Sequence, residues 1–308
     1  MGRYVLRRLL QMIPVFLGTT FLIYVMVWAV PGDPFAGKCG DRDCPDAFIA
    51  EMNEKFNLDD PVVVQYGKYL LNLVQGDFGT DYSGVPVSEL IGDAYPVTLR
   101  LALVALLIEA VIGISAGIVS GLRGRGFLDS LVLVSTLFLI SIPVFVTGYV
   151  LQILLGFEWG IIDPTVSSKA GFGELIVPGF VLASLSMAYV ARLTRASIAE
   201  NRRADYVRTA LAKGLPQSRI VGVHLLRNSI IPVLTFLGTD FGAFMGGAIV
   251  TEGIFNIKGV GGLVFDAIQF KEGATVTAVV VVLVLVFLVV NLLIDLLYGV
   301  LDPRIRYE

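Results

Sequence analysis

The chain has little charge, one histidine and two cysteines. Only 16% of its 308 residues are charged, against roughly 25% in an ordinary soluble domain. The single histidine leaves no His-based zinc motif and no Ser or Cys nucleophile paired with a histidine. We therefore predict no catalytic residue and no metal site. The net charge of −3 indicates nothing about nucleic acid, and we expect no such partner.

Hydrophobic residues make up 56% of the chain and occur in unbroken runs rather than in amphipathic stripes. Spanning a bilayer takes about 20 apolar residues in a helix, where the backbone satisfies its own polar groups. The first run is too long for a signal peptide. We predict an all-α polytopic membrane protein with six transmembrane helices in membrane lipid. The runs are Leu9–Val30, Val97–Gly121, Leu128–Gly156, Leu175–Leu193, Ile230–Val250 and Val276–Val300.

Lysine and arginine predict the orientation. Six spans place both termini on one side, and that side holds fifteen of the 23 basic residues. Because basic residues favour the cytoplasmic side, we expect a multi-pass cell membrane protein with both termini in the cytoplasm. The predicted divisions are residues 1–30 (N-terminus and first span), 31–96 (extracytoplasmic loop) and 97–308 (transmembrane core with a cytoplasmic loop, 200–229).

The two cysteines, Cys39 and Cys44, both lie in the loop that we place outside the cell. An oxidising compartment permits a local disulfide, and their spacing matches no firm metal motif. A disulfide and two free thiols both remain open.

One stretch of the same loop is close to a nucleotide-binding motif. Gly32 to Cys39 reads G-x4-G-K and then has Cys39 where a phosphate-binding loop needs Ser or Thr for Mg²⁺. A membrane helix precedes the stretch, whereas the motif needs a strand before it and a helix after it. We therefore expect no cofactor on this chain, so any ATPase must be a separate polypeptide.

The loop 200–229 has the pattern of a helix, a tight turn and a second helix. Ala204 to Lys213 contains good helix formers, Gly214 suits the position after a helix, and Pro216 suits the first position of the next. Ile220, Val223 and Leu226 would form one apolar flank. Pattern alone favours a basic segment on anionic lipid. The alternatives are a helix pair in a partner's groove and, less favoured, a DNA-binding motif.

Many short motifs, in order along nearly the whole chain, resemble the first permease subunit of ABC importers in the peptide and nickel group. They include Pro31-Gly32-Asp33-Pro34, Gly76-Asp77-Phe78-Gly79, Ser141-Ile142-Pro143, Ala191-Arg192-Leu193-Thr194-Arg195, Asp205 to Gly214, Arg227-Asn228, Glu252 with Ile254-Phe255, and Asp302-Pro303-Arg304. Asn256-Ile257-Lys258 departs from this pattern, because the family usually has an aromatic-Pro pair there.

The resemblance implies an assembly that imports di- or oligopeptides. The partners would be a second homologous permease, two cytoplasmic ATPase subunits that bind ATP and Mg²⁺, and an extracytoplasmic substrate-binding protein. Nickel chelates, haem and glutathione are alternative substrates within the group. The loop known as EAA in this family would couple to the ATPases. Its candidate residues are Asp205, Tyr206, Arg208, Ala210, Lys213, Gly214 and Arg219.

Acidic residues within or beside the predicted spans are candidates for the transport pathway. Glu109 and Asp240 lie near mid-span, where an acid costs about 2.5 to 3.5 kcal/mol on insertion scales. Glu252 follows the fifth span. One hypothesis is that Glu109 and Asp240 meet the ammonium group of a peptide. The other is hydrogen bonding between helices.

An ion-coupled secondary transporter is the main rival class. It would carry its own ion site, often with inverted repeats, and no repeat is visible in this sequence. His224, the one histidine, is expected to pack in the cytoplasmic loop, and Pro143 is expected to kink the third span.

Overall fold

The computed structural model describes residues 2–29, 44–124, 126–246 and 248–301, with side chains described within 5–296. The described residues are mainly helical, which confirms the all-α prediction, and their only extended pairing is an isolated bridge between Thr80 and Pro86. The stretch Gly32 to Cys39, which is close to a nucleotide-binding motif, lies outside the described residues. The helices are α1 (Gly2–Trp28), α2 (Asp46–Phe56), α3 (Val62–Val74), α4 (Val87–Ile108), α5 (Ile114–Arg123), α6 (Phe127–Ser141), α7 (Val144–Leu151), α8 (Ile176–Asn201), α9 (Asp205–Ala212), α10 (Gln217–Arg219), α11 (Leu226–Ser229), α12 (Ile231–Met245), α13 (Ile249–Ile254), α14 (Val260–Gln269) and α15 (Gly273–Leu301).

Three π-helical segments, Glu109–Gly113, Gln152–Glu158 and Ile220–Leu225, adjoin α-helices without a loop. The first joins α4 to α5, so these form one continuous rod, Val87–Arg123. Each π turn adds a residue to the local period and rotates the following side chains relative to an unbroken α-helix.

Four helical rods are long and apolar enough to cross a membrane, and two bent pairs bring the total to six if each pair is one span. The single rods are Val5–Trp28, Val87–Arg123, Ile176–Asn201 and Gly273–Leu296. The bent pairs are Phe127–Ser141 with Val144–Glu158, and Gln217–Ser229 with Ile231–Met245. The total of six, with each bent pair taken as one span, agrees with the six apolar runs of the sequence.

The third span changes direction by 96° between α6 and α7. Ile142 is extended, with φ −99° and ψ 124°, and Pro143 follows with φ −57° and ψ 139°. A residue before proline is pushed out of the helical region, and proline itself has no N–H to donate. The predicted kink at Pro143 is therefore a break of nearly a right angle.

The second span begins at Val87, ten residues before the predicted start at Val97. Glu89, Asp93 and Pro96 interrupt the apolar pattern in this first part of α4, which is why the run of apolar residues starts later than the helix. Val87 and Ile91 are nevertheless buried, against Val260 and Val264 of α14.

The rod α4–α5 packs closely on α8 through a stripe of glycines. A Cβ atom added at Gly113 would lie 2.8 Å from Val190 Cγ1, and one added at Gly121 would lie 2.9 Å from Ile198 Cβ. Gly117 faces Thr194 in the same way. Small residues at such a stripe let two membrane helices approach closely, so these glycines hold α4–α5 and α8 together as one unit.

The connection between α1 and α4 folds back onto α1 and α15. On α3, the Tyr66 hydroxyl lies 2.7 Å from Thr20 Oγ1 of α1. Trp28 Nε1, near the end of α1, donates to Thr277 Oγ1 of α15 over 3.2 Å. Aromatic rings fill the space between these elements, including Tyr24 against Tyr66 and Trp28 against Phe56. Phe78 of the connection packs on the cluster that contains Ala278 and Leu283 of α15, so the described part of this connection contacts both the first and the last span.

Candidate functional site

The segment Asp205–Ser229, here called the elbow, is the predicted helix, turn and second helix. After α9, Lys213 closes the helix and Gly214 takes φ +70°. The Gly214 N–H donates to Leu211 O over 2.9 Å and the Leu215 N–H donates to Ala210 O over 3.3 Å. This pair of bonds is the Schellman motif, which favours glycine at the left-handed position. The predicted role of Gly214 in ending the helix is confirmed.

The second half of the elbow differs from prediction in two details. Pro216 has extended ψ of 145° and precedes the helix as its cap, so it is not the first helical residue. The π-helical turn Ile220–Leu225 then brings Leu225 onto the face of Ile220, and both are 2% exposed. Val223, predicted on that flank from the α-helical period, is instead 50% exposed.

The inner face of the elbow packs on the ends of α5 and α8. Val207, Ala210, Ile220 and Leu225 form one apolar cluster with Ile198 of α8. Partly buried residues at the end of α5 and in the turn complete it, namely Ile118, Leu122 and Leu215. Any force on the elbow therefore reaches α5 and α8 through direct side-chain contact.

The outer face of the elbow is exposed. Leu211 is 53% exposed and Tyr206 is 39% exposed. Six of the seven predicted coupling residues lie on the exposed surface, while Ala210 lies in the inner cluster. Leu211 and Val223 were missed by the sequence reasoning, which took apolar residues here as buried. The exposed predicted residues are Asp205, Tyr206, Arg208, Lys213, Gly214 and Arg219.

A buried ion pair ties α8 to α6 near the elbow. Arg195 binds Asp129 with both ends of its guanidinium, Nε to Oδ1 at 2.5 Å and Nη2 to Oδ2 at 2.9 Å. Ser120 of α5 donates to the same carboxylate. A bidentate pair is directional, so α6 is held in register with α5 and α8, the two helices on which the elbow packs.

Glu252 is buried in a network that joins α4, α13 and α14. Its Oε1 accepts from Thr98 Oγ1 and its Oε2 accepts from the Gly262 N–H, both over 2.8 Å. The Thr98 hydroxyl oxygen in turn accepts from the Val260 N–H over 2.8 Å. Val260 and Gly262 begin α14, so the carboxyl group lies at a helix N-terminus, where donors face an anion.

Glu109 and Asp240 lie far from Glu252. Glu109 follows Thr98 by eleven residues on one rod, which is about 16 Å at 1.5 Å per residue. Glu109 is 0% exposed, and its carboxyl group is close enough to Asp240 to interact with it. The structure thus brings two of the three pathway candidates together and separates the third. Their role in transport remains a prediction.

An exposed carboxylate, that of Glu174, forms hydrogen bonds within the connection between α7 and α8. Glu174 Oε2 accepts from the Ser167 N–H over 2.7 Å and Oε1 accepts from Ser167 Oγ over 3.0 Å. These donors, the backbone N–H first, lower the pKa of Glu174. The Val166 N–H donates to Phe255 O over 2.9 Å, so the connection also pairs with the residue after α13.

Two further predictions concern single residues. His224 is half-buried in the elbow, as expected for packing, and no group of three metal-ligating side chains occurs among the residues that the structure describes. Cys44 is disulfide-bonded, while Cys39 lies outside the described residues.

Two family models match the chain. The family model described as binding-protein-dependent transport system inner membrane component matches residues 113–307. The model for the N-terminal part of such membrane components matches residues 1–102. Together these matches leave only residues 103–112 and the last residue uncovered.

Curated relatives match over the whole chain. The oligopeptide transport system permease protein AppB of Bacillus subtilis is 37% identical over 317 residues, covering 100% of both chains. The dipeptide transport system permease protein DppB of Alkalihalophilus pseudofirmus is 34% identical over 331 residues, covering 99% of both. The glutathione transport system permease protein GsiC of Salmonella paratyphi A is 35% identical over 309 residues, covering 100% of both. The chain therefore belongs to the family of binding-protein-dependent transport system inner membrane components and is a multi-pass permease subunit of an ABC importer.

Proposed function

We propose that this chain is one of two different permease subunits of an importer for di- or oligopeptides, driven by ATP hydrolysis in separate chains. Two of the relatives above are named for dipeptide and oligopeptide transport. In this proposal two ATPase subunits bind ATP and Mg²⁺, and the elbow transmits their movement to the spans. Both termini and the elbow face the cytoplasm.

The observation that carries the proposal is the division of the elbow into two faces. The outer face exposes Tyr206 and Leu211 beside charged residues, as a surface for a partner's groove requires. The inner face is buried against α5 and α8, which are themselves fixed by glycine contacts and by the Arg195–Asp129 pair. A docked ATPase would therefore move a stiff unit of the permease rather than a loose loop.

The opposite end of the permease suits a substrate-binding protein. The segment 31–96 holds twelve acids against four bases, and its described part is anchored to α1 through Tyr66 and packs on the cluster that includes α15 through Phe78. An acidic surface steers a partner of complementary charge. We assign this segment to docking of the binding protein outside the cell.

The substrate is the finer part of the proposal. The relative named for glutathione transport, at 35% identity, falls between the two named for peptides, at 34% and 37%, so glutathione is the second candidate. Nickel chelates and haem remain alternatives from the resemblance. A secondary transporter would leave the outer face of the elbow without a role.

The test of the assembly is co-purification of the tagged chain from its native membrane in mild detergent. We expect a second permease and ATPase chains to co-purify, and we expect ATP hydrolysis to rise when dipeptides or oligopeptides are added with the binding protein. Stimulation by glutathione alone would replace the peptide assignment. Uptake that follows an ion gradient without any ATPase would contradict the proposal.

The test of the elbow is Leu211→Asp in the same complex. A charge at this exposed apolar position should release the ATPase chains while the permease stays folded, because Leu211 lies outside the inner cluster. Val74→Asp is the matched control, since Val74 is 87% exposed on α3 and should leave the complex intact. Full retention of the ATPases by Leu211→Asp would argue against this docking face.

A further inference from the structure

The register of α4–α5 against α8 places Glu109 in a tight interhelical contact. Gly121 faces Ile198, Gly117 faces Thr194 and Gly113 faces Val190, in steps of four residues. The next step along both rods pairs Glu109 with Ser186. Glu109 is also the first residue of the π-helical segment Glu109–Gly113, and such turns in an α-helix often occur at functional sites.

Asp240 reaches the same place from α12. Ile108 and Phe241 belong to one apolar cluster, and Ala110 and Leu237 belong to another. The residues on either side of Glu109 therefore pack with residues adjacent to Asp240 or one turn before it. The two carboxyl groups interact, and Ser186 lies beside Asp240. Glu109 is 0% exposed, while Asp240 is half-buried.

Three of the four carboxyl oxygens of this pair lack a hydrogen-bond donor among the described residues. Both oxygens of Glu109 and Oδ2 of Asp240 are buried without a hydrogen bond of good geometry among the described residues. The nearby Ser186 hydroxyl donates to Ala183 O over 3.1 Å. A buried polar group without a partner costs about 1–3 kcal/mol, and more when it is charged, so an unpartnered carboxyl pair needs an explanation.

The pair also lacks a cation. No ion pair within the described ranges includes Glu109 or Asp240. Other charged groups on the surrounding helices, Glu89, Asp93, Arg123 and Glu200, lie at least about three helical turns away along their helices. The remaining charged groups on these helices bind other partners. Arg100 donates to Lys169 O and Ala170 O, and Arg192 donates to Thr136. Arg195 pairs with Asp129, and Asp295 pairs with Arg8. The tyrosines of α4 and α8 are likewise accounted for, since Tyr95 donates to Met245 O and Tyr189 packs on Phe236.

Two adjacent negative charges in a membrane interior repel each other and lose their hydration, so they do not persist without a positive partner. We propose that Glu109 and Asp240 form a proton-binding site in which the two carboxyl groups share one proton. The proton removes one of the two charges, and the O–H bond that it forms supplies the missing donor to the other carboxyl. A proton also needs no cavity, which suits a carboxyl group with no exposed surface, such as that of Glu109.

The half-buried Asp240 provides the route for the proton. Glu109 has no exposed surface of its own, so exchange with the surroundings passes through the Asp240 carboxyl group. The site joins α12 to the α4–α5 rod, and it does so independently of the elbow and of the identity of the substrate. Its existence is therefore separable from the proposed transport function.

Infrared spectroscopy of the full chain in lipid nanodiscs at neutral pH tests the proposal, because a protonated carboxyl group has its own C=O stretching band, which shifts in D₂O. We expect Glu109→Gln to lose one such band, since the amide then donates to an ionised Asp240. Asp240→Asn should shift the band, and the double variant should lose it. The control is Glu252→Gln, which should keep the band of the pair, because Glu252 binds Thr98, about three helical turns from Glu109 on the same rod.

An unchanged band in the double variant would overturn the proposal, as would its loss in Glu252→Gln alone. A second measurement needs no variant. The thermal unfolding midpoint of the wild-type chain should be the same in sodium, potassium and choline chloride at equal ionic strength. A midpoint that rises specifically with sodium or potassium would show a metal cation in place of the proton.

Discussion

Two glutamates of this permease, Glu252 and Glu109, are equally buried and have opposite surroundings. Both have 0% exposure. Glu252 accepts hydrogen bonds from Thr98 and Gly262, whereas Glu109 has another acid as its neighbour and no hydrogen bond of good geometry among the described residues. Two carboxyl groups that are equally buried therefore differ in role because one is surrounded by hydrogen-bond donors and the other is not.

The difference comes from the local backbone. Glu252 faces the first turn of α14, where N–H groups have no partner within the helix. Gly259 allows that turn to approach, since a Cβ there would come too close to the Glu252 carboxyl and would lie 2.5 Å from Thr98 Oγ1. Glu109 lies on the side of a continuous rod, where neighbouring N–H groups are used by the helix itself. One site fixes three elements, and the other is left to bind a proton.

The largest expected effect is that of Gly259→Ala. The added methyl group must displace the Glu252 carboxyl or the Thr98 hydroxyl, which would cost about 3 kcal/mol through overpacking and broken hydrogen bonds. The thermal unfolding midpoint in detergent should fall clearly. Gly222→Ala is the control, because Gly222 is exposed and a Cβ there meets nothing within 4 Å. Equal midpoints for the two variants would mean that the Glu252 network contributes little.

The next effect compares the same substitution at both glutamates. In Glu252→Gln the side-chain amide has one acceptor in place of two, so either Thr98 or the Gly262 N–H faces a donor, at a cost of about 1–3 kcal/mol. In Glu109→Gln the amide supplies donors to Asp240, and the change in unfolding free energy should stay within about 0.5 kcal/mol. Unfolding midpoints of the two variants in one detergent measure the contrast. An equal loss of stability at both sites would remove the distinction between them.

A smaller effect isolates the hydroxyl group of Thr98. Thr98→Val keeps the shape but leaves Glu252 Oε1 without its donor and the Val260 N–H without its acceptor, which should cost about 1 kcal/mol or somewhat more. Thr98→Ser keeps both hydrogen bonds and loses only a methyl group. The serine variant should therefore be the more stable of the two in thermal unfolding, and the reverse order would assign the role of Thr98 to packing.

The elbow shows what local sequence can predict. Gly214 and Pro216 act within a few residues of themselves, so the helix, turn and helix followed from residue type alone. The faces of the second helix did not, because the π turn at Ile220–Leu225 changes the period on which the apolar flank was counted. Leu211 was missed because the sequence reasoning took the apolar residues of this loop as buried, whereas Leu211 is 53% exposed.

The carboxyl sites show what local sequence cannot predict. Glu252 and Thr98 are 154 residues apart, and the sequence indicated Glu252 only through the resemblance, without its donors. Glu109 and Asp240 were recognised because an acid in an apolar run is costly. That they meet required the packing of α4 against α12. The early start of α4 was hidden by Glu89 and Asp93, which lie on its exposed side.

The smallest expected effect tests whether hydrogen-bond donors stabilise the structure around a carboxylate that is not buried. Glu174 has hydrogen-bond donors from Ser167, as Glu252 has from α14, but it is exposed to solvent. These donors lower the pKa of Glu174 in the folded protein. The carboxylate therefore stabilises the connection between α7 and α8 above the pKa of an unfolded glutamate, and this contribution is lost as the pH falls through the lower folded value.

Limited proteolysis with an acid-active protease should therefore cut the connection between α7 and α8 faster as the pH is lowered through this range, after correction for the activity of the protease. Glu174→Gln should cut fast at every pH, because the amide oxygen is a weaker acceptor and the amide group cannot take the place of both carboxylate oxygens. Glu158→Gln, at an exposed glutamate near the start of the same connection, should behave like the wild type. If the cutting rate of the wild type does not change with pH, the bonds between Ser167 and Glu174 do not hold this connection. Hydrogen-bond donors would then stabilise the structure at the buried Glu252 but not at the exposed Glu174.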